Sequence, residues 1–429
     1  MTNQMSRSVF DRVEGEADVS DIARRVAQIS VSAIKQMPVL AARVGGCVSL
    51  GQGIPSLNTP EFIRRAVIEE LQNPSTAIGK YSIQPGLPEL KQEIARDLKR
   101  TRGVANVDHE KEIFVSCGGM EALAAGIATI VERGDEVILP SPTYASHIEQ
   151  VLFAEGVPRF VPLVEEQGWK LDIEAIRKAV SKNTKAIILC NPVNPTGTVF
   201  SESELNEVAK IVLEHDLFLI LDEAYDFLVY DGLPFYSLMA RADLKEHVIA
   251  VCSFSKRYCM TGWRVGFMYA PGRIIRQVLK VHDAFAICAP TISQFAALAA
   301  LRATNGVDGE GDRSVQQLVD ALGSRRDLVC ARLNRLAEVF TYVKPVGGYY
   351  VFPRFKSSVK GAAKEVSSAS ESSIDFTLRI LNEAKVITIP GSAFGPTGEN
   401  HIRMSFGADE AELTEAFDRL DNYFAGRKP

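Results

Sequence analysis

Short apolar runs, each followed by polar or glycine residues, recur through the first two thirds of the chain. Five such runs cover residues 112–117, 136–140, 184–190, 217–221 and 248–252. Apolar runs of this length are typical of strands buried in a parallel sheet, and helical patterns such as residues 203–213 separate them. The alternation predicts an α/β fold with a mainly parallel sheet. Because open α/β sheets bind ligands at the carboxyl ends of their strands, we expect the polar residues after each run to converge there.

The pattern changes after about residue 300. An amphipathic helix is predicted over residues 314–338, and a strand over residues 346–352. Two further runs resemble antiparallel strands, at residues 386–391 and 401–406. The sequence after about residue 300 therefore predicts a smaller α+β domain. The division we expect is an N-terminal arm and part of the small domain in residues 1–60, a large domain in 61–300 and the C-terminal small domain in 301–429.

Composition and charge exclude several classes of protein. The 429 residues carry a net charge of -5 and are 46% hydrophobic, which predicts a soluble globular protein without a nucleic-acid or membrane surface. The polar N-terminal stretch is not expected to be a signal peptide. Seven cysteines without a C-x-x-C pair favour a reducing cytoplasm, and six scattered histidines predict no metal site.

Lys256 carries the strongest chemical signal. It stands just beyond the apolar run 248–252, in Ser253-Phe254-Ser255-Lys256, with Arg264 in the Gly-Trp-Arg-Val-Gly stretch downstream. A partly desolvated lysine favours the neutral amine that imine formation with an aldehyde requires. Ser253, Ser255 and Arg264 could hold a phosphate. The group therefore suits a phosphorylated aldehyde such as pyridoxal phosphate (PLP), whereas the tetrapeptide by itself would be compatible with an exposed turn.

Other strand ends add candidate partners, each with a plainer alternative. Asp222 closes the most apolar run, where a carboxylate is costly unless paired, although it could also cap a helix. Gly118 and Gly119 precede a helix with Met120 and could either bind phosphate at its N-terminus or form a tight turn. Asn194, held between prolines, presents a rigid amide.

Four further residues are candidates on weaker grounds. Tyr144 could stack on a flat ring or simply pack, and Tyr81 could reach a phosphate or be an exposed loop residue. Gly53 lies in a glycine-rich turn that could approach a ligand closely. Arg403 alternates with apolar neighbours and could point into a site or lie on an exposed sheet face.

Together these motifs identify a family. Ser-Phe-Ser-Lys with Gly-Trp-Arg-Val-Gly, Asn-Pro-Val-Asn-Pro-Thr-Gly at 191–197 and Asp-Glu-Ala-Tyr at 222–225 resemble, in order, the signatures of the PLP-dependent class I and II aminotransferases. The resemblance runs from about residue 48 to residue 406. It implies the fold-type-I architecture, with a mainly parallel seven-stranded-type sheet in the large domain. Cys259 departs from the lysine signature, which usually carries a small or aliphatic residue there.

The resemblance also implies a role for each candidate. Lys256 would bind PLP as a Schiff base and move the proton between substrate and cofactor, and Asp222 would keep the pyridine nitrogen protonated. Asn194 and Tyr225 would bind the ring's phenolic oxygen, and Tyr144 would stack on the ring. The phosphate would be held by Gly119, Met120, Ser253, Ser255 and Arg264, with Tyr81 from a second subunit, which implies a homodimer. The substrate carboxylate would bind Arg403, assisted by Gly53 and Asn194.

The implied activity is transfer of an amino group from an L-amino acid to a 2-oxo acid, by a ping-pong mechanism through pyridoxamine phosphate. An apolar Met120 cannot pair with a distal carboxylate, which puts aspartate in question as the donor. A PLP-dependent lyase that cleaves C–S or Cβ bonds is the alternative, because it would keep the same lysine, aspartate and arginine. A PLP-binding regulator is a third possibility, but only about thirty residues precede the core, too few for a DNA-binding domain.

Overall fold

A central seven-stranded sheet organises the molecule. The structure, a computed structural model, describes Val9, Val13 and residues 21–306, 309–356 and 371–426. The predicted arm therefore lies mostly outside the described residues. In chain order the strands are β1 (Val48–Ser49), β2 (Ile113–Ser116), β3 (Glu136–Ser141), β4 (Val157–Pro162), β5 (Thr184–Cys190), β6 (Phe218–Asp222), β7 (Val248–Ser253), β8 (Gly266–Tyr269), β9 (Phe340–Thr341), β10 (Tyr350–Val351), β11 (Arg354–Phe355), β12 (Val386–Ile387), β13 (Ile389–Pro390) and β14 (Ile402–Ser405).

The large sheet has the order β2-β8-β7-β6-β5-β3-β4. Only β8 runs against its neighbours, pairing antiparallel with β2 and β7. The predicted α/β fold with a mainly parallel sheet is confirmed, and the five apolar runs are β2, β3, β5, β6 and β7. The pattern missed β8, which has four residues, and β4, whose outer position and two prolines, Pro158 and Pro162, are typical of an edge strand.

Helices cover both faces of this sheet. Alternate residues of the strands point to opposite sides, so Ile188 and Ile220 pack in one apolar cluster while Leu189 and Leu221 pack in another. Burial on both faces explains why the strands read as continuous apolar runs. The α-helices are Arg24–Ala27, Ala33–Val44, Glu61–Gln72, Pro88–Arg102, Gly119–Ile130, Ala145–Phe153, Ile173–Ala179, Glu202–Glu214, Phe254–Arg257, Gly272–Phe285, Thr291–Asn305, Glu310–Arg335, Ser373–Arg379 and Glu410–Phe424.

The C-terminal part forms a third apolar cluster around short strands. The predicted helix 314–338 is the helix Glu310–Arg335, and strand 346–352 is reduced to β10. The antiparallel expectation holds for β13 and β14. It is wrong for β12, which pairs parallel with β1, because this run is interrupted at Thr388 and its two halves have different partners. Residues 48–49 thus pair with the C-terminal part, as the predicted domain division requires, while its boundaries stay a prediction.

The described residues include no helix with the length and apolar character needed to cross a membrane. Within the same residues, no group of three or more His, Cys, Asp or Glu side chains is placed to hold a metal ion. All seven cysteines are free thiols.

Candidate active site

Lys256 lies in the short helix Phe254–Arg257, directly after β7. Its Nζ donates a hydrogen bond to the carbonyl oxygen of Gly53 at 2.7 Å, and it lies 5.7 Å from the centre of the Tyr349 ring. Burial lowers the pKa of Lys256 to about 8, and the nearby charges of Arg403 and Arg264 act in the same direction. The amine is therefore withdrawn from water and partly neutral near pH 8, as a nucleophile or proton carrier must be.

Asp222 ends β6, the strand that pairs parallel with β7. Two contacts orient its carboxylate. Oδ2 lies 3.0 Å from Nε2 of His147, and Oδ1 accepts a hydrogen bond from the backbone N–H of Ala224 at 3.3 Å. His147 is fully buried, and its Nδ1 lies 2.9 Å from the hydroxyl of Thr143. No helix follows Asp222 directly, so the helix-cap alternative does not apply. A carboxylate fixed in this way can hold a cation or a protonated ring nitrogen at the sheet edge.

An anion-binding corner lies beside Lys256. The helix Gly119–Ile130 begins here, and its first N–H groups have no partner within the helix. Gly118 has a φ of 83°, and a Cβ on it would lie 2.5 Å from Nη2 of Arg264, so the glycine leaves room for that guanidinium. Ser253 accepts a hydrogen bond from the backbone N–H of Ser255 at 3.1 Å. Helix N-terminus, guanidinium and hydroxyls together can hold a phosphate.

Two adjacent tyrosines of the C-terminal part close the site near Gly53. Tyr349 donates to the carbonyl of Gly53 at 2.6 Å, and the hydroxyls of Tyr350 and Tyr225 lie 3.0 Å apart. A Cβ on Gly53 would lie 2.0 Å from the hydroxyl of Tyr350, so only glycine fits there. Gly53, Lys256 and Tyr225 thus belong to one contact network.

Arg403 is 1% exposed and lies between two aromatic rings. Its guanidinium carbon is 4.3 Å from the ring centre of Tyr350 and 5.1 Å from that of Phe394. Nη1 donates to Oδ1 of Asn194 at 3.1 Å and Nη2 to the carbonyl of Gly51 at 2.7 Å, while Nε has no partner among the described residues. Arg403 and Asn194, which are both predicted to bind the substrate carboxylate, therefore lie in direct contact, and Nε of Arg403 is an unused donor.

Three predicted residues lie at the margins of this group. The Tyr144 hydroxyl lies 3.7 Å from Sδ of Met120, and the Tyr144 ring meets that of His147 edge-on at 5.6 Å. Met120 is 37% exposed. Tyr81 is 77% exposed and is not brought into the cluster by its own chain. Its predicted role needs a second subunit.

Sequence reasoning missed His147, Tyr349 and Tyr350. The signal for His147 was its spacing three residues after Tyr144, which places both near one face of the helix Ala145–Phe153. Tyr349 and Tyr350 follow the glycine pair 347–348, a close-approach signal that their distance in sequence from Lys256 obscured.

Comparisons with known proteins give consistent results. The model of the family "Aminotransferase class I and II" matches residues 46–420. An aspartate aminotransferase of Pyrococcus abyssi is 36% identical over 94% of this chain and 98% of its own length. An aromatic-amino-acid aminotransferase of Thermococcus litoralis is 34% identical over 95% and 99%, respectively. The crystal structure of an aromatic aminotransferase from Pyrococcus horikoshii superposes with a TM-score of 0.83, at 34% identity, covering 94% of this chain and 98% of that one.

Proposed function

Since the chain belongs to the class I and II aminotransferase family and is an aminotransferase, we propose that it uses PLP, held by Lys256, to move the amino group of an L-amino acid to a 2-oxo acid. One observation carries the residue assignment. The half-buried Lys256 amine and the fixed Asp222 carboxylate lie at the carboxyl ends of neighbouring parallel strands, at the edge where the anion-binding corner also lies. The two curated relatives described above are named as aminotransferases, and neither name favours the lyase alternative or a regulator.

The residues present fit PLP. Gly118 leaves room beside Arg264 for a phosphate, and Gly119 and Met120 place the first N–H groups of a helix there. Ser253 and Ser255 add hydroxyls, and Tyr81 of a second subunit would complete the phosphate site. Asn191 follows β5, and its backbone N–H donates to the carbonyl of Asp222 at 3.0 Å. Its Nδ2 is buried without a partner among the described residues, so the strand ends beside Asp222 have unused hydrogen-bonding capacity.

Bound PLP would supply an aldehyde for amine exchange and a protonated ring that accepts electron density from the substrate Cα. Asp222, oriented by His147, would hold the proton on the ring nitrogen. Tyr225 and Asn194 would donate to the ring's phenolic oxygen, and Tyr144 would lie against the ring. Lys256 Nζ, once released, would take the proton from Cα and return it to the cofactor side.

Arg403 would bind the α-carboxylate of the substrate. Its Nε is free, and the two rings around it exclude water, which strengthens a charged hydrogen bond. Asn194 would also bind the substrate carboxylate, and Gly53, which has no side chain, would leave room for that carboxylate. The apolar Met120 favours donors whose side chain carries no distal carboxylate, and the curated relatives include proteins named for aspartate and for aromatic amino acids.

A homodimer and a cytoplasmic location are part of this proposal. The exposed Tyr81 supports the first. The seven free thiols support the second, because disulfides persist mainly in oxidising compartments.

The test is a single-turnover assay. The PLP-loaded protein is mixed with each of a panel of amino acids without any 2-oxo acid acceptor, and 2-oxo acid and ammonia are counted per site. Transamination gives about one 2-oxo acid per site and no ammonia, and the most reactive donor identifies the substrate class. Repeated release of ammonia would instead show a lyase.

Two variants test the assignment within the same assay. Lys256→Ala should lose the reaction altogether, and normal turnover by it would contradict the assignment. Asp222→Ala should keep bound cofactor but react at least ~100-fold more slowly, because the ring proton is no longer held. An unchanged rate would remove Asp222 from this role.

A further inference from the structure

Five charged residues form a buried cluster behind the site: Asp97, Arg102, Glu223, Asp226 and Arg257. Their side chains are between 2% and 11% exposed. Nothing in the proposed chemistry uses them, and their ion pairs are formed with one another. We refer to them as the buried charge cluster.

Two arginines connect the cluster. Arg102 donates from Nε to Oε2 of Glu223 at 3.0 Å, and its Nη2 lies 2.7 Å from Asp226. Arg257 donates from Nη1 to Oδ2 of Asp97 at 2.9 Å. Arg102 also lies 3.9 Å from Asp97, which joins the three ion pairs into one cluster.

The cluster is attached to the two central residues of the site. Glu223 follows Asp222 in the chain, and Arg257 follows Lys256. Their partners, Asp97 and Arg102, both belong to the helix Pro88–Arg102. One rigid helix therefore binds the chain neighbour of the carboxylate and the chain neighbour of the lysine.

Stability alone does not account for this arrangement. Ionised groups withdrawn from water lose hydration that their mutual attraction only partly restores, and apolar side chains of similar size are often as stabilising. Three carboxylates here face two buried guanidinium groups, and the more exposed Arg100 also donates to Asp97 at 3.3 Å. Burial raises the pKa of Glu223 to about 7 despite the contact with Arg102. What such ion pairs do provide is a fixed relative geometry of the segments they join.

We propose that Asp97 and Arg102 are positioning residues that hold Asp222 and Lys256 at their working separation by tethering the residues next to them. The proposal rests on the proposed function. Reactions that need several groups in register lose rate steeply with displacement, and about 1 Å can cost ~100-fold. The cluster acts on the two short segments that carry Asp222 and Lys256, beside other contacts such as the hydrogen bond that Ser237 donates to Oε1 of Glu223 at 2.6 Å.

Arg102→Lys is the most informative variant. Lysine keeps the positive charge, so the carboxylates of Glu223 and Asp226 stay compensated and the fold is retained. A single ammonium cannot reproduce the fork in which two different nitrogens bind two different carboxylates. Asp97→Asn is the second variant, nearly identical in shape, and it removes the charge that Arg257 faces.

Glu371→Gln is the matched control. The Glu371 carboxylate accepts two hydrogen bonds from Arg379, from Nε at 2.8 Å and from Nη2 at 2.7 Å. This ion pair is largely buried and lies in the C-terminal part, away from the site. Both kinds of variant should lower the melting temperature. Only the cluster variants should change the single-turnover rate and the pH dependence of PLP uptake by the cofactor-free protein, which reports the Lys256 amine.

We expect Arg102→Lys and Asp97→Asn to lower the single-turnover rate about tenfold at saturating donor, with half-saturation changed less than about threefold. The midpoint of PLP uptake against pH should also move. If both variants match the wild type in rate and midpoint, and differ only in melting temperature as Glu371→Gln does, the cluster is structural and the proposal is wrong. If the wild type itself does not transaminate, the proposed function fails instead, and the two failures are separate.

Discussion

Lys256 shows how a residue's surroundings can set its chemistry. An exposed lysine is protonated at neutral pH, whereas burial and the cations Arg403, Arg264 and Lys35 favour the neutral amine here. The negative charge of Asp222 acts in the opposite direction and raises the pKa of Lys256. Burial is the largest cause, so the amine should stay activated even when one cation is removed.

The pKa of Lys256 can be measured through cofactor uptake. In the cofactor-free protein the rate of PLP binding, followed by absorbance, should rise with pH around a midpoint near 8, because only the neutral amine attacks the aldehyde. Arg403→Gln should move this midpoint upward, since a neighbouring cation no longer disfavours protonation. Arg273→Gln, at an exposed ion pair with Glu246, serves as the control. A wild-type midpoint near the ordinary lysine value would contradict the assignment of Lys256.

Tyr350 is expected to act through two neighbours. Tyr350→Phe removes the hydroxyl that meets Tyr225 at 3.0 Å but keeps the ring over Arg403. We expect the turnover rate to fall severalfold with little change in KM, a loss of about 1 kcal/mol that is typical of one hydrogen bond. Tyr350→Ala also removes the ring and should raise the KM for the amino donor. Steady-state kinetics distinguishes the two effects, and Tyr342→Phe is a remote control. If Tyr350→Phe and Tyr350→Ala had the same turnover rate and the same KM, the separate roles of the hydroxyl and the ring would be contradicted.

Residues at strand ends could be predicted because their position depends on local sequence. Asp222 and Lys256 follow apolar runs, and parallel strands bring such positions to one edge. Tyr350 enters the site from a different part of the chain, through the pairing of β10 with β14. The glycine pair 347–348 indicates a close approach but does not identify the part of the chain that Tyr350 contacts. The roles of the predicted residues remain predictions, although the structure brings most of them together.

At the scale of elements, the turn from β2 into the helix Gly119–Ile130 depends on backbone geometry. Gly118→Ala should weaken PLP binding at least ~10-fold, because its Cβ would displace Arg264 and the φ of 83° strains any side chain. Gly134→Ala separates the two causes: its φ is 90°, but nothing lies within 4 Å of its Cβ. That control should lose stability without losing PLP affinity, measured by titration and thermal unfolding. Equal affinity losses in both would show that strain alone is responsible.

Apolar runs predicted the interior strands well because both faces of the sheet are covered. They failed at β4 and β8. β4 is exposed on one side and mainly alternates exposed and half-buried residues. β8 is buried and runs against its neighbours, and its length does not explain the failure because β2 also has four residues. The pairing of β12 with β1 joins residues more than 300 positions apart, which periodicity cannot reveal.

For the whole molecule, the exposed surface around Tyr81 is the main feature that one chain leaves unused. Tyr81 is 77% exposed and Phe285 75%, with Ile83 and Ile287 also exposed. Hydrogen bonds from Gln84 to the Leu279 carbonyl and from Thr291 to the Lys80 carbonyl hold these segments side by side. Adjacent exposed aromatic and aliphatic residues are typical of a protein interface. A second copy seated here would account for this surface and supply the missing phosphate ligand.

Mixing the subunits of two variants tests both the second copy at this surface and the contribution of Tyr81 to the phosphate site. Lys256→Ala should be inactive, and Tyr81→Ala should bind PLP more weakly and turn over slowly. When the two are unfolded together and refolded, half of the sites in each mixed dimer combine an intact Lys256 with an intact Tyr81 from the other subunit. The mixture should then regain roughly a quarter of wild-type activity at limiting PLP, since about half of random pairs are mixed and one of their two sites is complete. Activity no higher than the average of the separate variants would show that Tyr81 acts within its own chain or not at all. Sedimentation of the wild type as a monomer would exclude the shared site directly.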